Sequence, residues 1–228
     1  MLFRSFYTDN RIYVCGKNDY GQLGLGHNND VYVPSINNFF NGKSIFKIKC
    51  GTNNVYYIDN DNRMYSTGIN SYNILHHTNY NGVTNNSNTF KEFLNNQNTD
   101  SIIVKKILNT KKNSFLIDDE GYLYVCGKNE HGQLGINDIS SVDIFFQNEN
   151  ILNVLNISSD GDSTILVTSN NELYVCGKND YGQLGISNNY IDISLTQINY
   201  IDNTSGYSNI YTKHGYSYIV TKIGRAHV

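Results

Sequence analysis

One phrase recurs along this chain. Ile12–Gly24 reads IYVCGKNDYGQLG, Leu123–Gly135 reads LYVCGKNEHGQLG, and Leu173–Gly185 reads LYVCGKNDYGQLG. A fourth, degraded copy, MYSTGINSYNIL, runs from Met64 to Leu75. The copies stand roughly 50 to 60 residues apart, a period that signals a repeat architecture. Each repeat of such a protein is one supersecondary unit that buries its apolar face only by stacking on the next.

The phrase has its own physics. Its first half is a short strand of β-forming residues, with Leu123 and Val125 on one face and Tyr124 and Cys126 on the other. Gly127 ends that strand where φ must turn positive or a side chain would be in the way. Lys128 to Gly132 is a turn: Asn129 bonds local backbone and Gly132 enters the left-handed region. The Gln133 amide is placed to pair with the backbone of a neighbouring segment. Leu134 is the apolar anchor that pins the turn to a core.

The pattern (Leu/Val)-Tyr-x-x-Gly-x-Asn-x-x-Gly-Gln-Leu-Gly resembles the repeat of the regulator of chromosome condensation (RCC1) family. Gly16, Asn18, Gly21, Gln22, Leu23 and Gly24 fit it. So do Gly127, Asn129, Gly132, Gln133, Leu134 and Gly135, and Gly177, Asn179, Gly182, Gln183, Leu184 and Gly185. The degraded copy keeps Tyr65, Gly68 and Asn70 and replaces Gly-Gln-Leu-Gly with Asn73-Ile74-Leu75-His76. Before the first Gly of the phrase, where the family often carries Trp, this chain has Cys or, in the degraded copy, Thr67. The resemblance runs from about residue 4 to about residue 222. It implies an all-β, RCC1-like β-propeller with one four-stranded antiparallel blade per repeat. About four blades' worth of sequence implies a partial propeller, a fragment of a seven-bladed ring.

Hairpins support the blade reading. Phe3–Tyr7 and Ile12–Cys15 flank an Asp-Asn turn. Three alternating apolar runs, Ser44–Cys50, Ile102–Leu108 and Leu152–Ser158, each precede a further hairpin. Those hairpins are Val55–Ile58 with Met64–Thr67, Ser114–Ile117 with Tyr122–Cys126, and Thr164–Thr168 with Leu173–Cys176. The alternation predicts half-buried strands. An outer strand is expected after each phrase, as at Val31–Val33, next to Pro34, the single proline. Residues 1–222 are therefore expected to form one repeat domain. Residues 71–99, rich in Asn, Thr and Ser, are expected to be a long loop inserted in it. The run Ser208–Val220 reads as the start of another blade. The final residues 223–228, Ile-Gly-Arg-Ala-His-Val, carry the single alanine and are expected to be a non-native tail.

Composition narrows the function. Net charge is −3, so there is no bulk electrostatic case for nucleic acid. About one residue in six is Asn, which fits coding bias and neutral loop filling. No apolar run is long enough for a signal peptide or a membrane span. The expectation is an intracellular protein, cytoplasmic or nuclear. Cys15, Cys126 and Cys176 hold the same place in three phrases, too far apart to pair. With Cys50 they read as small buried hydrophobes. His76-His77 lacks an acidic or Cys partner at ligand spacing, and Lys105, Lys106, Lys111 and Lys112 read as solvated surface. No metal or cofactor is expected.

No catalytic motif is present: no GxSxG, P-loop, HExxH or GxGxxG. What every phrase shares is what building a blade requires, so function belongs in what differs. The variable turn residues Tyr20, Tyr72, His131 and Tyr181 are the candidate partner anchors. The first expectation is a non-catalytic protein-interaction scaffold, with self-association through open propeller edges as a further route. The resemblance also implies guanine-nucleotide exchange on a small GTPase, in which a propeller loop weakens the phosphate and magnesium contacts of the bound nucleotide. No stretch here aligns with such a wedge, so no exchange residue is carried over. A third reading is an inhibitor or sensor that covers an enzyme's active site.

Overall fold

The computed structural model describes residues 4–8 (backbone only), 11–75, 86–92, 102–187, 190–199, 206–213 and 215–222. The chain divides into two compact units, Met1–Ile103 and Val104–Val228. Each unit is described by itself.

In the first unit, β1 (Arg4–Thr8), β2 (Arg11–Gly16) and β3 (Val31–Ile36) form a three-stranded sheet in that order. A four-stranded sheet follows from β4 (Ile45–Cys50), β5 (Asn54–Asp59), β6 (Met64–Gly68) and β7 (Ser87–Glu92). In the second unit, β8 (Val104–Asn109), β9 (Asn113–Asp118), β10 (Leu123–Gly127) and β11 (Val142–Gln147) make one sheet. Strands β12 (Val154–Ser159), β13 (Ser163–Thr168), β14 (Leu173–Gly177) and β15 (Asp192–Ile198) make the next. A pair, β16 (Tyr207–Lys213) and β17 (Tyr216–Thr221), completes it. Every pairing between these strands is antiparallel and every neighbour in a sheet is a neighbour in the chain. Such a meander closes with short local turns.

Strand β7 corrects the expected loop over residues 71–99, because residues 87–92 are the outer strand of their sheet. The rest of that stretch from 76 to 85 and from 93 to 99, His76 and His77 included, lies outside the described residues. So does the C-terminal stretch 223–228.

The cores lie between successive sheets. In the first unit, Ile12, Val14, Leu23 and Phe40 pack on Val55, Tyr57, Tyr65 and Phe90. In the second, Phe115, Leu123, Val125 and Leu134 pack on Val154, Ile157 and Leu166. On the next sheet face, Ile165, Val175 and Leu184 meet Tyr207 and Ile210. Strand β13 is therefore covered on both faces, by Leu166 in one core and by Ile165 and Val167 in the other. Strands β5, β9 and β13 are buried at every residue, and their sequences run apolar without alternating. First strands bury only part of their residues. Cys50 sits exposed at the end of β4, and not buried as its apolar character suggested. Cys126 and Cys176 are buried, Cys15 is half-buried, and none of the four forms a disulfide.

Each phrase begins with a bulge. The pairing of third and fourth strands slips between Val14 and Gly16, Ser66 and Gly68, Val125 and Gly127, and Val175 and Gly177. Glycine is required there twice over. Gly177 has φ +102°, and a Cβ would stand 2.4 Å from the Asp162 carbonyl oxygen. No helix among the described residues is long and apolar enough to cross a membrane.

Candidate protein-interaction surface

Antiparallel order puts the first hairpin turn and the phrase loop of each sheet at the same end. The phrase turns by one set of bonds. Gly21 N–H donates to Asn18 O at 2.8 Å, Gly132 to Asn129 O at 2.8 Å, and Gly182 to Asn179 O at 3.0 Å. The Asn side-chain oxygen accepts from the N–H of the anchoring leucine at 2.9 Å in all three: Asn18 from Leu23, Asn129 from Leu134, Asn179 from Leu184. The Gln side-chain oxygen accepts from the N–H two residues back at 3.0 Å: Gln22 from Tyr20, Gln133 from His131, Gln183 from Tyr181. Asn18, Asn129 and Asn179 are fully buried, as are the three leucines. These polar groups are committed to holding the loop.

The phrase also reaches the next sheet. Gln133 Nε2 donates to Gly161 O at 3.1 Å, and Thr164 Oγ1 donates to Gln133 O at 2.8 Å. In the first unit Thr67 Oγ1 donates to Gly21 O at 3.0 Å. Cys176 holds the place of Thr67 and lies 3.5 Å from Gln133 O. Burial pushes the Cys176 thiol well up from its ordinary value, with Asp192 adding to it. The Cys126 thiol is raised by burial and then by Asp143.

The degraded copy keeps the geometry. Asn70 accepts from Leu75 N–H at 2.8 Å, and Asn73 N–H donates to Asn70 O at 3.2 Å. Asn73 takes φ +57°, the left-handed conformation that asparagine adopts most readily after glycine. Gly68 keeps the bulge. Ile74, in the place of Gln22, is buried as a core residue.

The four variable positions differ in exposure. Tyr181 is 81% exposed, its ring beside the Gly215 turn, and Tyr72 is 42% exposed. Tyr20 and His131 are half-buried. The structure brings His131 and Tyr181 to one end of the second unit's sheets and Tyr20 and Tyr72 to the matching end of the first unit's. His131 Nε2 lies 3.9 Å from an Asp162 oxygen that also takes Lys112 Nζ at 2.5 Å. Each full phrase carries an ion pair, Lys17–Asp19 at 2.7 Å, Lys128–Glu130 at 2.6 Å and Lys178–Asp180 at 2.9 Å. The hydrogen-bonded carboxylate raises the Lys17 and Lys178 ammonium groups above their usual value.

Further apolar residues project at the same end of the second unit, which the repeat pattern did not single out. Tyr190 and Ile139 precede the outer strands, and Tyr216 opens β17. For Tyr190 and Ile139 the sequence signal is an apolar residue between the phrase and the next strand. No group of three or more His, Cys, Asp or Glu gathers as a metal site among the described residues.

Buried-strand meanders joined by a glycine-bulge turn define a propeller-type repeat protein. Its repeats are similar to those of the RCC1 family. Residues 9–58 match the regulator of chromosome condensation (RCC1) repeat, and residues 157–183 match a second description of that repeat. The human X-linked retinitis pigmentosa GTPase regulator is 28% identical over 136 residues, covering 59% of this chain and 12% of that protein. Human probable E3 ubiquitin-protein ligase HERC4 is 28% identical over 130 residues, 57% of this chain and 12% of that protein. Among solved structures, human WBSCR16 superimposes with a TM-score of 0.75 at 19% identity, over 96% of this chain and 55% of that one. Yeast RCC1 (Prp20), solved bound to Kap60, gives 0.77 at 16% identity over 94% and 51%. The chain spans about half the length of those solved structures and about an eighth of the two curated relatives.

Proposed function

We propose that this chain is a non-catalytic protein-interaction scaffold whose partner meets the phrase-turn end of the sheets. One observation carries the reading. The residues common to all full phrases are spent on internal bonds, while the position between them holds Tyr20, Tyr72, His131 or Tyr181, and Tyr181 stands 81% exposed. Aromatic residues on a rigid frame are effective interface anchors, because they contribute area at small entropic cost. Tyr190, Ile139 and Tyr216 extend the apolar fringe. The test is capture of partner proteins by the full chain and by Tyr181→Ala and Tyr72→Ala. Unchanged capture by both variants would overturn the reading.

A second reading, guanine-nucleotide exchange on a small GTPase, is favoured by the relatives. One is named a GTPase regulator, and a second structure of Prp20p, from Saccharomyces cerevisiae, concerns its binding properties to Gsp1p and histones. It rests on family likeness. Catalysed release of a fluorescent GDP analogue from a small GTPase separates it from simple binding.

A further inference from the structure

A tight turn joins the first and second strands of each four-stranded sheet, and in the second unit a side-chain oxygen fills it. After β8, Thr110 Oγ1 accepts from Lys112 N–H at 3.1 Å and from Asn113 N–H at 2.8 Å. After β12, Asp160 Oδ1 accepts from Asp162 N–H at 3.0 Å and from Ser163 N–H at 2.9 Å. The backbone frame is shared, since Thr110 N–H donates to Asn113 O and Asp160 N–H to Ser163 O. A short polar side chain at the head of a turn commonly takes up the N–H groups that point into it.

The same frame recurs after β4, where Gly51 N–H donates to Asn54 O at 2.9 Å. Gly51 therefore answers to Thr110 and Asp160, and it brings no oxygen. The N–H groups of Asn53 and Asn54 lose the acceptor that Lys112 and Asn113 have. The Asn54 side chain loses a partner as well. Its counterpart Asn113 accepts from the Thr110 hydroxyl on Oδ1 at 2.9 Å and donates from Nδ2 to Lys128 O at 2.6 Å. Asn54 is fully buried, and neither its Oδ1 nor its Nδ2 has a partner among the described residues. A buried amide is rarely left so. The turn itself is reachable, with Thr52 exposed and Gly51 and Asn53 half-buried. Strand β4, which leads into it, carries Lys47 and Lys49 and no carboxylate.

We infer that the Gly51 turn binds a carboxylate, supplied by an aspartate or glutamate side chain of the partner, on the N–H groups of Asn53 and Asn54 and the side-chain amide of Asn54. Asp160 shows the equivalent cradle filled by that group: one oxygen takes the two turn N–H groups, and the other accepts from Gly215 N–H at 3.4 Å. Backbone N–H groups converging in a turn suit an anion, and bonds to a charged acceptor are the stronger kind. The turn lies at the same end of its sheet as the phrase loop. The inference therefore rests on the scaffold reading and gives its partner one chemical feature.

The test is an NMR titration of the isotope-labelled full chain at pH 7 with sodium acetate, against sodium chloride at equal ionic strength. Acetate is expected to shift the backbone amides of Asn53 and Asn54 and the side-chain amide of Asn54, with half-saturation on the order of 0.1 M. Inorganic phosphate, bulkier than the group Asp160 places in its own turn, is expected to shift them less. Gly51 does not take a positive φ, so a side chain is tolerated there. Gly51→Asp supplies the carboxylate from within and is expected to lose the acetate response, whereas Gly51→Ala keeps it. Gly51→Asp is also expected to melt about 3 °C above Gly51→Ala, because its turn N–H groups gain their acceptor. No response to acetate beyond that to chloride, an equal response to phosphate, or a response that survives in Gly51→Asp overturns the inference. None of these results touches the phrase-turn reading, which Tyr181→Ala tests on its own.

Discussion

The N–H of Leu75 donates to the side-chain oxygen of Asn70 at 2.8 Å, the bond that ties Leu134 to Asn129 at 2.9 Å. A phrase that has lost both its later glycines and its glutamine still turns correctly. Asn129 does more than Asn70, because its Nδ2 also donates to Asp138 O at 2.7 Å while Asn70 Nδ2 has no partner among the described residues. Asn129→Ala is expected to cost about 2–3 kcal/mol and Asn70→Ala about 1–2. Urea denaturation checks the order, and a larger loss for Asn70→Ala would contradict it.

The buried thiols set an alkaline limit. Burial holds Cys126 and Cys176 protonated in the folded chain, whereas in the unfolded chain they ionise near pH 8.5. Above that pH the unfolded state binds fewer protons, so stability falls as pH rises, by about 1.4 kcal/mol per pH unit per thiol. Below it the contribution is complete. Tyr124, pushed up to about 12 by burial and by Asp118, extends the loss beyond pH 10. The slope of unfolding free energy against pH is expected to flatten in Cys126→Ala and Cys176→Ala. A slope unchanged in both would sink this account.

Thiol labelling of the native protein should follow exposure. Cys50 is expected to react first and Cys15 next, with Cys126 and Cys176 reacting only on unfolding. Mass mapping after a brief maleimide pulse reads the order directly.

Lys112 Nζ lies 2.5 and 2.6 Å from the two oxygens of Asp162, joining the first turns of successive sheets. Both side chains are somewhat less than a third exposed. A double-mutant cycle with Lys112→Ala and Asp162→Ala is expected to give a coupling of about 0.5–1 kcal/mol that shrinks in high salt. Additive losses would show the pair to be idle.

Tyr181→Ala is expected to leave stability within about 0.5 kcal/mol, because the ring is largely in solvent. Thermal unfolding of this variant is the control that gives its partner-binding result meaning.

The blade hairpins were legible because their strands are β-branched and aromatic, and because Gly127 and its equivalents mark each bulge. Strand β7 was not. Ser87-Asn88-Thr89-Phe90-Lys91-Glu92 offers one large apolar residue, and its pairing is set by register with β6 and by the bridge from Leu25 to Thr89. The exposure of Cys50 depends on which strand of a sheet is covered twice, which no local pattern states.

The contacts from one sheet to the next carry a consequence for how such a chain changes over generations. Thr67 and Thr164 each donate to a main-chain carbonyl of the preceding phrase, Gly21 O and Gln133 O. A carbonyl is supplied by every residue type, so no substitution on the accepting side can delete it. A phrase can thereby change its side chains without withdrawing what its neighbour grips. The stretch from Met64 to Leu75, misspelt yet turned like the others, keeps its own grip through the Thr67 hydroxyl.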